Sequence, residues 1–245
     1  MAAGLLCLIL LGIGCLVKGR EGRAYKRTTY YKITKNPYKI LQKDLGKAGE
    51  YALYQRLTAY EAKGAKLLFN CYLPRKPEGT TEIDALMLDF SGIYVFESKN
   101  YSGRILGKEE ERDWVQRFDG KSGSSYEVKF LNPVMQNKLH IRCLKNMLRE
   151  NQIFFRDIPI FSIVVFSDHC MLKEVQMSDT AARVIALSEI AKAVTMCRRR
   201  VGKRLDQKKI EKIYQILYPY TQVSEREKKQ HIKNVQKRRM ECLSR

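Results

Sequence analysis

The stretch "GIYVFESKNYSG", from Gly92 to Gly103, begins as a buried strand and ends in charges. Ile93, Tyr94, Val95 and Phe96 are β-formers in succession. Side chains alternate along a strand, so Glu97 and Lys99 share a face with Val95 while Ser98 points the other way. Just before it, "EIDALML" carries Asp84 inside an otherwise apolar run, and "FSG" between the two stretches predicts a tight hairpin. A hairpin closed at Asp89 to Gly92 sets Asp84 opposite Glu97. Two carboxylates facing each other across a strand pair repel unless positive charge lies between them. Lys99 could supply it as a cross-strand ion pair, and so could a divalent cation. A hard cation such as Mg²⁺ is commonly held by one or two carboxylates, water and substrate phosphate. It lowers the pKa of a bound water and neutralises charge developing on phosphorus. A neighbouring lysine can orient that water or stabilise the transition state.

Other elements must position this pair. "QKDLGKAGEYALYQRLTAYEAKG" predicts a helix that stops at Gly64, with Glu50 leaning toward its buried side beside Leu53, Tyr54 and Leu57. Gly46 and Gly49 permit close backbone approach there. Three strands follow, "AKLLFNCYL", "TEIDALMLDF" and "GIYVFESK", and then a second hairpin from "DWVQRF" and "YEVKF". Asn132-Pro133 opens a helix whose Gln136 shares a face with Leu139, Cys143 and Met147. "IPIFSIVVFS" is apolar throughout, as in a strand covered on both faces, and "ARVIAL" and "SEIAKAV" add a strand and a helix. Trp114 suits the core. The order predicts one α/β domain with a mixed sheet.

These separated blocks carry a family resemblance. "GKAGE", "EIDALML", "GIYVFESKNYSG", Trp114 and "NPVMQ" in that order resemble the nuclease-related domain, or NERD, of the PD-(D/E)xK nuclease-like superfamily. The resemblance covers roughly residues 41 to 167. It implies a restriction-endonuclease-like αβββαβ core and a metal-dependent phosphodiesterase site at Glu50, Asp84, Glu97 and Lys99, with Gln136 as the helical polar residue. Asp84, Glu97 and Glu50 would hold Mg²⁺ or Mn²⁺, and Lys99 would serve the attacking water. Two positions depart from the superfamily pattern: Ile83 precedes Asp84 where proline is common, and His140 stands where the helical Q-x-x-x-Y form has tyrosine.

Composition sets the wider frame. Of 245 residues 44% are hydrophobic, enough for a full core, and the formal charge of +20 points to polyanions, either nucleic acid or an anionic membrane surface. Seven cysteines without a CxxC and three histidines argue against a zinc site. Residues 2 to 17 carry no charge, and Lys18, Arg20, Arg23, Lys26 and Arg27 follow at once. That one-sided basic flank predicts a transmembrane anchor over 1–17 with the rest of the chain in the cytoplasm, in preference to a cleaved signal. The expected organisation is the anchor, a basic juxtamembrane linker over 18–40 lying at anionic lipid headgroups, the nuclease-like domain over 41–200, and a basic helical extension over 201–245. The expected activity is membrane-anchored, metal-dependent hydrolysis of DNA, with RNA less favoured. The alternative is a non-catalytic module that binds nucleic acid or protein at the membrane surface.

Overall fold

The computed structural model describes residues 20–120, 124–178 and 182–243. The expected anchor over 1–17 lies outside them. Among the described residues no helix is long and apolar enough to cross a membrane.

Asp44 accepts a hydrogen bond from Lys47 N and so caps α2 (Leu45–Glu61), the helix that carries Glu50. β1 (Lys66–Pro74), β2 (Thr80–Asp89) and β3 (Gly92–Lys99) follow as an antiparallel meander. The two-residue turn Phe90-Ser91 closes the second hairpin in the expected register. Gly92 is required there: its φ is 146°, and a Cβ would lie 2.3 Å from the carbonyl oxygen of Pro159. Asn132 caps α3 (Pro133–Glu150) by accepting from Val134 N and Met135 N. This helix is the crossover that returns the chain to β7 (Ile160–Phe166), parallel to β3, and β9 (Ala182–Ala186) pairs parallel to β7. The five-stranded mixed sheet therefore runs β1-β2-β3-β7-β9.

Helices cover both faces, which is why β3 and β7 are apolar on both sides. α2 and α4 (Ile190–Val201) enclose one core with Phe69, Met87, Tyr94 and Phe96. α3 and α5 (Gln207–Leu217) enclose the other with Leu68, Leu86, Ile93 and Val95. Leu205, Ile210, Ile213 and Leu217 are buried in that second core, so the start of the region expected as a C-terminal extension packs on the domain.

A second sheet stands beside the first, in the order β6 (Ser125–Leu131), β5 (Asp113–Asp119), β4 (Gly103–Lys108), β8 (Cys170–Gln176). Trp114 is fully buried under it, as expected, and stacks on Phe166. The β5–β6 hairpin matches the sequence reading, but β4 and β8 were not anticipated. "GRILGK" is short and glycine-flanked, and "CMLKEVQ" has few apolar residues. Their parallel pairing joins segments more than sixty residues apart and leaves no local signature.

The stretch expected as a headgroup linker folds differently. It is helical over 20–27, continues as α1 (Thr29–Thr34) and makes a 3₁₀ turn at Tyr38–Gln42. Tyr25 and Tyr30 are buried against Tyr51, Tyr54 and Phe69, not spread at an interface. Their hydroxyls find partners inside, which makes the burial of tyrosine possible: Tyr25 donates to Asn36 O at 2.8 Å.

Candidate active site

The β2–β3 ladder ends at Ala85 and Phe96, one step short of Asp84 and Glu97. Beyond that step β3 stays paired with β7 as far as Lys99 and Phe166, while β2 stays paired with β1 as far as Thr80 and Pro74. The sheet opens into a fork with Asp84 on one arm and Glu97 and Lys99 on the other. One bond bridges the opening, Ser98 N–H to Asp84 Oδ2 at 2.7 Å.

The origin of the fork lies on β1. Asn70, opposite Asp84, adopts the left-handed conformation at φ 50°, which asparagine tolerates better than most residues. Strand alternation slips there on both strands. Leu68 and Leu86 face the α3–α5 core, and so do Cys71 and Ile83, whose spacing would otherwise put them on the opposite face. The outer halves of β1 and β2 turn together away from β3.

Glu97 is buried. Its Oε1 accepts from Lys99 Nζ at 2.7 Å, and its Oε2 lies 2.9 Å from His140 Nε2. Burial pushes the Glu97 carboxyl upward, but the Lys99 ammonium and the His140 contact outweigh it and hold the group down at about 2. A carboxylate only accepts, so the ring Nε2 of His140 carries the hydrogen. The other ring nitrogen, Nδ1, is 2.7 Å from Thr81 Oγ1, on the far arm. Asp84, partly exposed, moves in the opposite direction. Burial first, then the charges of Glu97 and Glu50, hold its carboxyl well above the usual carboxylate range, with Lys99 and the Ser98 N–H opposing in part. Lys99 is held above the ordinary lysine value, because Glu97 and Asp84 overcome the burial that would lower it. Two neighbouring carboxylates driven apart in this way form an unequal pair.

Glu50 is also buried and more fully engaged. Lys47 Nζ donates to Oε1 at 2.7 Å, and Asn70 Nδ2 and Tyr30 OH donate to Oε2 at 2.9 and 3.1 Å. Gly49 lets α2 approach the end of β3: a Cβ there would lie 2.7 Å from Asn100 Cβ, and Asn100 Nδ2 donates to Leu45 O. Gly49→Ala is therefore expected to lower stability by about 1–3 kcal/mol despite the better helix propensity of alanine, as overpacked sites do. Urea denaturation measures it, and an unchanged or raised midpoint would show that Asn100 yields freely.

Gln136 lies one helical turn before His140 on α3, and its Oε1 is buried without a hydrogen-bond partner. The structure thus brings Asp84, Glu97 and Lys99 together, sets Glu50 close enough to act on Asp84, and leaves Gln136 nearby but uncoupled from the acids. Sequence reasoning did not find Tyr30, Lys47 or Asn70. A lone asparagine in "KLLFNCYL" was the available signal for Asn70, while nothing local marked Tyr30. His140 stood out only as a departure from a pattern, and it is a direct partner of Glu97.

Among the described residues no three His, Cys, Asp or Glu side chains form a ready-made metal cage. The carboxylates offer part of a coordination shell, which suits a cation that keeps several waters. Among the described residues Asp84 accepts one hydrogen bond, from Ser98 N–H.

Residues 45–167, half of the chain, match the model of NERD, the nuclease-related domain, and the chain belongs to that family. It is also similar to a Bacillus anthracis protein described as uncharacterized, with 29% identity over 149 residues. That alignment covers 61% of this chain and 65% of the relative, so the chain spans just under two thirds of the relative's length. No solved structure matches the chain.

Proposed function

We propose that this protein is a metal-dependent nuclease that hydrolyses phosphodiester bonds of DNA, with RNA as a second substrate class. The observation that supports it most is the fork at the end of the β2–β3 ladder. It gathers Asp84, Glu97 and Lys99 at one parted strand end, where the backbone pairing of β2 with β3 has stopped and one side-chain bond spans the opening. The charge of one acid raises the other, an arrangement that favours a cation between them. Mg²⁺ or Mn²⁺ held by Asp84 and Glu97, with Glu50 directly or through water, would activate a water and neutralise charge on the phosphoryl group. Lys99, carried on the same face of β3 as Glu97, would orient that water and shield the developing charge. His140 and Thr81 fix the orientation of Glu97 from behind. Lys47, Tyr30 and Asn70 fix Glu50. The unpartnered Oε1 of Gln136 can accept from a water or a base amino group.

One observation favours the non-catalytic binding module: both oxygens of Glu97 are already taken, by Lys99 and His140. Labelled duplex DNA, single-stranded DNA and RNA incubated with the purified full-length chain separate the two readings. The nuclease reading expects degradation with Mg²⁺ or Mn²⁺ that EDTA stops. No cleavage of any substrate, with a melt indifferent to both metals, would overturn it. Membrane attachment through residues 1–17, with the domain in the cytoplasm, belongs to the same proposal, on the strength of the uncharged run and its basic flank. Recovery of the intact full-length chain in the soluble fraction of lysed cells would refute that part.

A further inference from the structure

The last helix, α6 (Glu225–Leu243), lies beyond the residues that match the family, yet it packs on the arm of the fork that carries Asp84. Between residues 225 and 237 only Lys228, His231 and Asn234 are not exposed, a spacing of three that marks the face against the body. His231 is the anchor. Its Nδ1 lies 2.8 Å from Thr80 Oγ1, and its ring meets Tyr72 edge-on at 5.3 Å. Tyr72 OH in turn donates to Glu82 Oε1 at 2.8 Å. Thr80 and Glu82 belong to the arm of the fork that carries Asp84.

The opposite face of α6 is basic. At about 100° per residue, Arg226, Lys229, Lys233 and Lys237 fall in one narrow row directed away from the body, and all four are exposed. Arg226, Lys229 and Lys233 make no ion pair among the described residues. The row is about 16 Å long, close to five phosphate steps of one strand at about 3.4 Å each. A basic row by itself is commonly a solvated face. A row on a helix pinned through a buried histidine to the free arm of the fork has a fixed position relative to Asp84.

We propose that this row is a phosphate-backbone track that holds the nucleic acid flanking the bond in the fork. The proposal rests on the nuclease reading for the identity of its partner. It is a positioning surface without base readout, since lysine and arginine along one exposed face contact phosphates without reading sequence.

The test uses the purified full-length chain and a fluorescent DNA duplex without divalent cation, titrated over about 50–300 mM salt. R226Q/K229Q/K233Q keeps helix propensity nearly unchanged. It is expected to reduce the slope of log association constant against log salt by about 2 to 3, at about 0.9 per phosphate contact. K63Q/R142Q/K145Q removes the same charge from exposed positions elsewhere and is expected to change the slope by less than about 1. Binding to phosphatidylserine vesicles is expected to be equal for the two triple variants. An unchanged slope for the α6 variant, or equal losses for both triples, overturns the proposal. Loss of vesicle binding with DNA binding intact overturns it too and assigns the row to anionic lipid. If the wild type cleaves DNA while the α6 variant binds as the wild type does, only this inference fails. If the wild type never cleaves but the slope still drops, the track stands and the nuclease reading fails.

Discussion

Asp84→Asn is expected to abolish cleavage and, in metal-free buffer at neutral pH, to raise the melting temperature. The two effects share one cause. The folded Asp84 carboxyl sits above its ordinary range because burial and the charges of Glu97 and Glu50 disfavour its ionisation. A carboxyl raised on folding costs stability as pH climbs through the unfolded value toward the folded one. Asparagine keeps the shape and an oxygen that accepts from Ser98 N–H, but carries no charge. The gain should be on the order of 1 kcal/mol, or about 2–4 °C for a domain of this size. It should vanish near pH 3, where Asp84 is protonated in both states. Mg²⁺ should reverse the order by stabilising the wild type and leaving the variant unmoved. Loss of a carboxylate ligand is expected to cost cleavage about a thousandfold or more, several kcal/mol of transition-state stabilisation. Thermal melts across pH with and without Mg²⁺, beside the cleavage assay, provide the check. A variant less stable than the wild type at every pH would mean that Asp84 is held as an ordinary ion-pair partner of Lys99.

The parts of this site that sequence could reveal are those set by short-range pattern. Apolar runs with a two-residue turn between them specify β2, β3 and their register, which sets Asp84 level with Glu97. What makes the place a site was not visible, because it depends on one backbone conformation on a third strand. Asn70 at positive φ slips the alternation of β1 and β2, and only then does the sheet part. The partners of the acids were hidden for a similar reason. Tyr30 reaches Glu50 from a segment whose sequence reads as a basic, tyrosine-rich linker at lipid headgroups, and its burial depends on aromatic neighbours supplied by α2 and β1. His140 was legible as a residue and illegible as a contact, since the crossover helix fixes which strand end it meets.

Lys99→Met should be the most damaging single change at the site, and its damage should depend on pH in a direction opposite to that of Asp84→Asn. Lys99 is the nearest cation to Glu97, at 2.7 Å, and only 4% of the Glu97 side chain is exposed. Removing one partner of a buried pair leaves the other charge uncompensated, at about 3–5 kcal/mol for full burial. Lys99 keeps a little exposure, so about 3 kcal/mol is expected here. The sign follows from Glu97. Its folded value is depressed to about 2, so its contribution is present in full above the ordinary glutamate range and is lost as pH falls through that value. In the variant the Lys99 share of the depression is removed, and only the His140 contact is left to oppose burial. Wild type and variant should therefore differ most above about pH 5 and converge toward pH 2. Lys99→Arg restores the charge and should recover part of the stability but little activity, because the planar guanidinium does not replace a compact ammonium aimed at one water. Mg²⁺ should stabilise Lys99→Met by more than it stabilises the wild type, since a cation at Glu97 no longer competes with lysine. Denaturation by urea at several pH values, with and without Mg²⁺, reads each of these differences. Equal stability of Lys99→Met and wild type from pH 2 to 7, with cleavage intact, would remove both the ion pair and Lys99 from any account of this site.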